Sequence, residues 1–241
     1  MSSPGATLEA SRPPLTRQRI LRAGIEVAGE RGVSNLTMRG LAASLGYEVM
    51  SLYNHVASKA DLLDGMLDLV VADIALPGSA GDSEDWQLAL RRSCLSAHDA
   101  LSAHPWVSPL WATSSVGPAR ITLLESWLRT LHHSPLTDQV AHRGFHALSN
   151  HVVGFALQQA ELTQATQPAP AREEFLAKAN DFLATLDQNA YPRMAEHVRR
   201  HLRDSEVDRS FTFVLDLILD GLADQRRTSA SPAGPGQQEP G

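Results

Sequence analysis

The stretch from Leu36 to Lys59, LTMRGLAASLGYEVMSLYNHVASK, limits what this chain can fold into more than any other. Thr37 can cap a short helix by accepting a hydrogen bond from a free backbone N–H. Leu41, Ala42 and Leu45 then share one helical face. Gly46 follows where the helix must stop and turn, because glycine tolerates positive φ. A second short helix runs from about Glu48 to His55. Leu52 and Val56, four residues apart, point inward. That leaves Val49, Met50, Ser51, Tyr53 and Asn54 largely outward. A helix this short does not stand alone in water; other elements must hold it, and it presents side chains instead of building a core. Two such helices about a glycine turn make a helix-turn-helix, the arrangement that enters a DNA major groove.

The rest of the chain also reads as helix. Thr16 can cap a helix over 17–31, with Ile20, Ala23, Gly24, Val27 and Ala28 as its apolar stripe, and Gly32 ends it. Arg17, Arg19 and Arg22 lie near its start, where cations oppose the helix dipole. Phosphate contact and ordinary solvated surface both account for them. Ser58, with Asp61 three residues on, suits the start of a fourth helix, whose apolar pattern continues to Leu76 before Pro77–Gly78. Helices over 84–103, 118–133, 137–164, 172–187, 192–203 and 208–227 follow, with a proline-bounded segment at 105–115. No alternating strand pattern occurs. The predicted fold is all-α. A three-helix helix-turn-helix DNA-binding domain spans 15–76, and a larger helical domain spans 83–227. Residues 1–14 and 228–241, rich in Ser, Pro and Gly, are predicted disordered, and 165–171 is a predicted loop.

Composition narrows the function. With 241 residues, 43% apolar and 20% charged, the chain can bury a real core. It has no apolar run of membrane-spanning length, and its first residues lack a signal-peptide core. The single cysteine, Cys94, fits a reducing bacterial cytoplasm and reads as a small buried hydrophobe. The net charge is −6, but residues 1–60 carry seven Lys and Arg against four acids, and the remainder carries fourteen against twenty-three. A basic end on an acidic body suits a protein that touches phosphate with one end only.

The run from Leu36 to Met66 resembles the DNA-binding signature of the tetracycline-repressor (TetR) family. The resemblance rests on the small-residue turn, the Leu-Tyr-x-His-Val run at Leu52–Val56, Lys59 and the Leu-Leu-Asp after it. It extends more weakly through the Leu-Ser-x-His-Pro segment at 101–105 and the Val-Val-Gly-Phe run at 152–155. It implies a one-component regulator, most often a repressor, that binds a palindromic operator in double-stranded DNA and leaves it when a small-molecule effector binds. Carried over by position, Thr37, Arg39, Val49, Met50, Ser51, Tyr53, Asn54, His55 and Lys59 meet DNA. It implies no cofactor and no catalytic residue. In the tetracycline repressor a histidine after the proline-containing turn binds a metal; by approximate register Trp111 stands there, and an indole N–H does not ligate metal. The expected effector is therefore a mostly apolar, aromatic-tolerant molecule, not a magnesium–tetracycline chelate. Trp86, Trp106, Trp111, Trp127 and Phe155 supply candidate apolar area, and His98, His146, Asn150 and Gln158 candidate polar groups.

The last helix carries a second expectation. From Phe211 to Ala223 its polar stripe is narrow, so it needs cover on more than one side. Gly144, Ala147, His151 and Gly154 line a small-residue seam on the 137–164 helix. The resemblance implies that these two helices pair across a homodimer, with Phe211, Leu215, Ile218 and Leu222 at the interface. His142 and His146 are spaced as a metal pair can be, but lack an intervening Glu and any Cys pair, so no metal site is assigned. No phosphate-binding or nucleophile-elbow motif marks an enzyme. A DNA-binding dimer without an effector is the remaining rival reading.

Overall fold

A computed structural model describes residues 14–78, 85–164, 171–203 and 207–229. Most of the predicted disordered ends, and all but the last residue of the 165–171 loop, lie outside these residues. The described residues form eleven α-helices and one short 3-10 turn, with no strand among them. The chain divides into two compact units between Met66 and Leu67. The sequence reading placed that boundary after residue 76; the division instead falls inside one helix.

The first unit begins with α1 (Arg17–Arg31), where Thr16 accepts from the Arg19 N–H and Gly32, at φ 79°, closes the helix. A 3-10 turn (Val33–Asn35) leads to α2 (Met38–Leu45), capped by Thr37 Oγ1, which accepts from the Gly40 N–H at 3.0 Å. Gly46 takes the left-handed conformation (φ 74°, ψ 31°). The Tyr47 N–H then reaches back to the Ala42 carbonyl at 3.0 Å, which satisfies a helix-end acceptor. Next come α3 (Val49–Tyr53) and α4 (Lys59–Ala72), the latter begun by Ser58 Oγ accepting from the Asp61 N–H at 3.1 Å. Ile20, Leu36, Leu41, Leu52, Val56, Leu62 and Met66 are fully buried and make the core of this unit. At Gly24 a Cβ would lie 2.7 Å from Met66 Sδ, so glycine permits the close approach of α1 to α4.

The second unit holds the end of α4 and then α5 (Trp86–Ala103), α6 (Val107–Leu110), α7 (Pro118–His133), α8 (Asp138–Gln164), α9 (Ala171–Thr185), α10 (Pro192–Arg203) and α11 (Val207–Ser229). α8 is the hub, and α5, α6, α7 and α11 all pack on it. α9 and α10 pack on each other. The apolar pattern of α4 runs to Leu76, but the helix ends at Ala72 and its last turn tightens through Asp73 and Ile74 N–H bonds to the Val70 and Val71 carbonyls.

Candidate nucleic-acid interface and effector region

The glycine turn fixes α3 against α2, and Leu52 and Val56 anchor it in the core. Every residue predicted to meet DNA therefore lies on the accessible side. Thr37, Arg39, Met50, Tyr53, Asn54 and Lys59 are exposed, and Val49, Ser51 and His55 are half-buried. Met50 is 69% and Tyr53 42% exposed, although both are large and partly apolar. Beside α1, an open recess is lined by Thr16, Arg19, Arg22 and Glu26, among others. Arg19 stacks on the Tyr47 ring at 5.7 Å. Arg17, left between two readings by the sequence, is held by Asp61, with Nη2 2.7 Å from Oδ1.

In the second unit the predicted effector residues separate into groups. His98, Phe155, His151 and Phe211 form one aromatic cluster, with the rings of His98 and His151 each stacked on Phe211 at 4.0 and 4.6 Å. His151 Nε2 lies 2.9 Å from the Phe211 carbonyl and donates to it. Burial holds the His151 imidazole below its usual range, against the opposing pull of that hydrogen bond. Trp127 belongs to the core; it is buried, and its Nε1–H donates to Ser93 Oγ at 2.8 Å. Trp86 and Trp111 are half-buried, and the Arg120 guanidinium lies 5.2 Å from the Trp111 ring. His146, Asn150 and Gln158 are exposed, so the structure does not bring them to the buried cluster. His142 pairs edge-on with His146 at 4.7 Å. Trp106 Nε1 and Ser108 Oγ, both buried on the α6 segment, find no hydrogen-bond partner among the described residues.

Two polar groups escaped the sequence reading. Asp68 Oδ1 accepts from the Ala119 and Arg120 N–H groups at 3.0 and 3.1 Å, capping α7 from α4. Arg120, buried, donates to the Trp111 and Ser114 carbonyls at 2.7 and 3.0 Å. The only sequence signal was an acid inside the apolar run of α4.

The predicted interface residues also separate. Phe211, Leu215 and Leu222 are buried within their own chain, and Gly144 is pressed against Leu222. They are therefore core, because the side of α11 that faces α8 is the side they occupy. Ile218, Ala147 and His151 are half-buried, and Gly154 is exposed with open space beyond it. The uncovered side of α11 is instead Phe213, Val214 and Leu217.

Residues 20–66 match the description "Bacterial regulatory proteins, tetR family", and residues 78–226 match "Tetracyclin repressor-like, C-terminal domain". The chain belongs to the tetracycline-repressor family. It is 32% identical over 228 residues to the HTH-type transcriptional repressor DrrR1 of Streptomyces coeruleorubidus, covering 92% of this chain and 83% of that protein. It is 31% identical over 160 residues to the class D tetracycline repressor protein of Escherichia coli, covering 65% of this chain and 72% of that one. Among solved structures it resembles ActR of Streptomyces coelicolor in complex with actinorhodin, with a TM-score of 0.69 and 25% identity over 88% of this chain and 99% of that chain. As a member of this family it is a DNA-binding transcriptional regulator. No described helix is long and apolar enough to cross a membrane.

Proposed function

We propose that the chain acts in the cytoplasm as a homodimeric repressor whose two α3 helices read the half-sites of a palindromic operator. It is released by a planar, mostly apolar aromatic effector bound among α5, α6 and α8. The observation that carries the DNA reading is the set Arg39, Met50, Tyr53, Asn54 and Lys59, all exposed on a compact unit whose buried residues hold them in place. Arg39 suits a bidentate contact with guanine, and Met50 and Val49 suit thymine methyls. Tyr53, His55 and Lys59 suit phosphates. The uncovered apolar side of α11 supports a second subunit.

The aromatic cluster supports a flat ligand, and the donors Trp106 Nε1 and Ser108 Oγ, without a partner among the described residues, support one that carries carbonyl or phenolic oxygens. The relative seen with actinorhodin and the relative named a repressor support an effector and a repressing role. Trp111 at the metal-binding register supports a ligand that needs no magnesium. Nothing in this reading assigns an enzymatic step.

A footprint on the promoter beside the chain's own gene tests the whole reading. It should show a protected palindrome that an oxygen-bearing aromatic compound releases at micromolar concentration. Release by tetracycline only when magnesium is present would defeat the effector assignment. Unchanged operator binding by an Arg39→Ala, Tyr53→Phe double variant would defeat the contact assignment.

A further inference from the structure

Arg17 opens α1, where the helix dipole makes a cation least favourable. Its guanidinium is not left to solvent. Nη2 donates to Asp61 Oδ1 at 2.7 Å and Nη1 to Oδ2 at 2.9 Å, a two-pronged fork. Nη1 also donates to the His55 carbonyl at 3.0 Å, just past the end of α3. Asp61 Oδ2 accepts from the Ala57 N–H at 2.7 Å, and the Asp61 N–H donates to Ser58 Oγ. The first turn of α1, the exit from the recognition helix and the first turn of α4 thus meet at one ion pair. The pair raises the Arg17 pKa and lowers that of Asp61. Between His55 and Asp61 lies the turn that ends at Lys59, and just before it lie Tyr53 and Asn54.

We infer that Arg17 and Asp61 are positioning residues for operator recognition: their ion pair holds the exit of α3 on the first turns of α1 and α4, and with it the angle at which α3 presents Val49, Met50 and Asn54 to the base edges. Arg17 is not assigned a phosphate contact: the pair lies at the surface, its side chains 43% and 34% exposed, but both terminal nitrogens already donate to Asp61 and the His55 carbonyl. This inference rests on the operator reading above. A wild-type chain that binds no palindrome defeats that reading, whereas wild-type binding unaffected by the variants below defeats this inference alone.

The two uses of Arg17 give opposite signs. Removing an acid close to DNA strengthens binding if only charge matters. Removing it weakens specific binding if the acid holds the reading elements in place. The test is the affinity of the full-length chain for an operator duplex and for a scrambled duplex, measured across a salt series. Asp61→Asn and Arg17→Ala should each weaken operator binding about tenfold, leave scrambled-duplex binding unweakened, and leave the slope of log affinity against log salt unchanged. The double variant should bind no worse than the weaker single one, and Asp61→Glu should restore most of the loss. Arg17→Lys keeps the charge but loses the fork, so it too should weaken operator binding. Asp61→Asn that binds the operator as tightly as wild type, or more tightly, overturns the proposal. So does an Arg17→Ala slope shallower by about 0.9, the loss of one phosphate contact. Parallel loss of specific and scrambled binding in every variant, Asp61→Glu included, reports a folding defect instead and also overturns it.

Discussion

Single contacts decide several features of this molecule, and two are open to direct test. Trp127 and Ser93 are both buried and satisfy each other. Trp127→Phe keeps most of the apolar area but strands a hydroxyl, which costs about 1–3 kcal/mol when a buried group loses its partner. Ser93→Ala in the same chain removes the stranded group, so urea unfolding should show the double variant recovering part of that loss. Asp68 offers the second test. It accepts two N–H groups at the start of α7 and lies so close to Gly117 that a Cβ there would meet Oδ1 at 2.3 Å. Asp68→Ala should lower stability by about 1 kcal/mol, the usual cost of a lost helix cap. Gly117→Ala should destabilise as well, and a thermal melt reads both. A cap whose donors lie 51 and 52 residues away along the chain was not legible in sequence. Local caps were legible, because Thr16, Thr37 and Ser58 each stand three residues from the N–H they accept.

Helix positions followed from such local signals, but helix facing did not. α1, α7 and α10 begin and end at the expected residues, where Thr16 and Gly32, Pro118, and Pro192 set the limits. α11 is apolar on nearly every side, so periodicity could not say which side its own chain would cover. Packing on α8 settles it, with Phe211, Leu215 and Leu219 buried and Phe213 (64%) and Leu217 (55%) exposed. The two sides give separable predictions. Leu215→Glu places an unpaired charge in the core and should unfold the second unit. Leu217→Glu leaves the core intact and, if this side carries the second subunit, should give a folded monomer. Sedimentation with circular dichroism distinguishes the outcomes. A Leu217→Glu chain that sediments like wild type as a dimer would place the interface elsewhere. The candidate DNA face was more legible than the effector region for the same reason. A recognition helix of one and a half turns has one buried side, whereas the four tryptophans sit on two helices and one short segment, and only packing shows that Trp127 is core.

At the scale of the whole molecule, the two units should respond to acid in different windows. In the second unit His104 and His151 are both held below the usual histidine value of 6.5, chiefly by burial. The unfolded chain therefore binds protons that the folded unit refuses. Stability from these groups is complete above pH 6.5 and is lost as pH falls from there through their folded values. In the first unit Asp61 is held below its usual 3.8, chiefly by the Arg17 hydrogen bonds. That contribution is complete above 3.8 and disappears only as pH falls further, through the folded value. All four tryptophans, Trp86, Trp106, Trp111 and Trp127, belong to the second unit, so their fluorescence reports its unfolding alone. Urea midpoints followed by tryptophan emission should fall between pH 7.5 and 5. His151→Gln can still donate to the Phe211 carbonyl but does not titrate over this range, so its midpoint should fall less. A His151→Gln chain with the full acid sensitivity of wild type would show that the His151 imidazole is not the group that resists protonation.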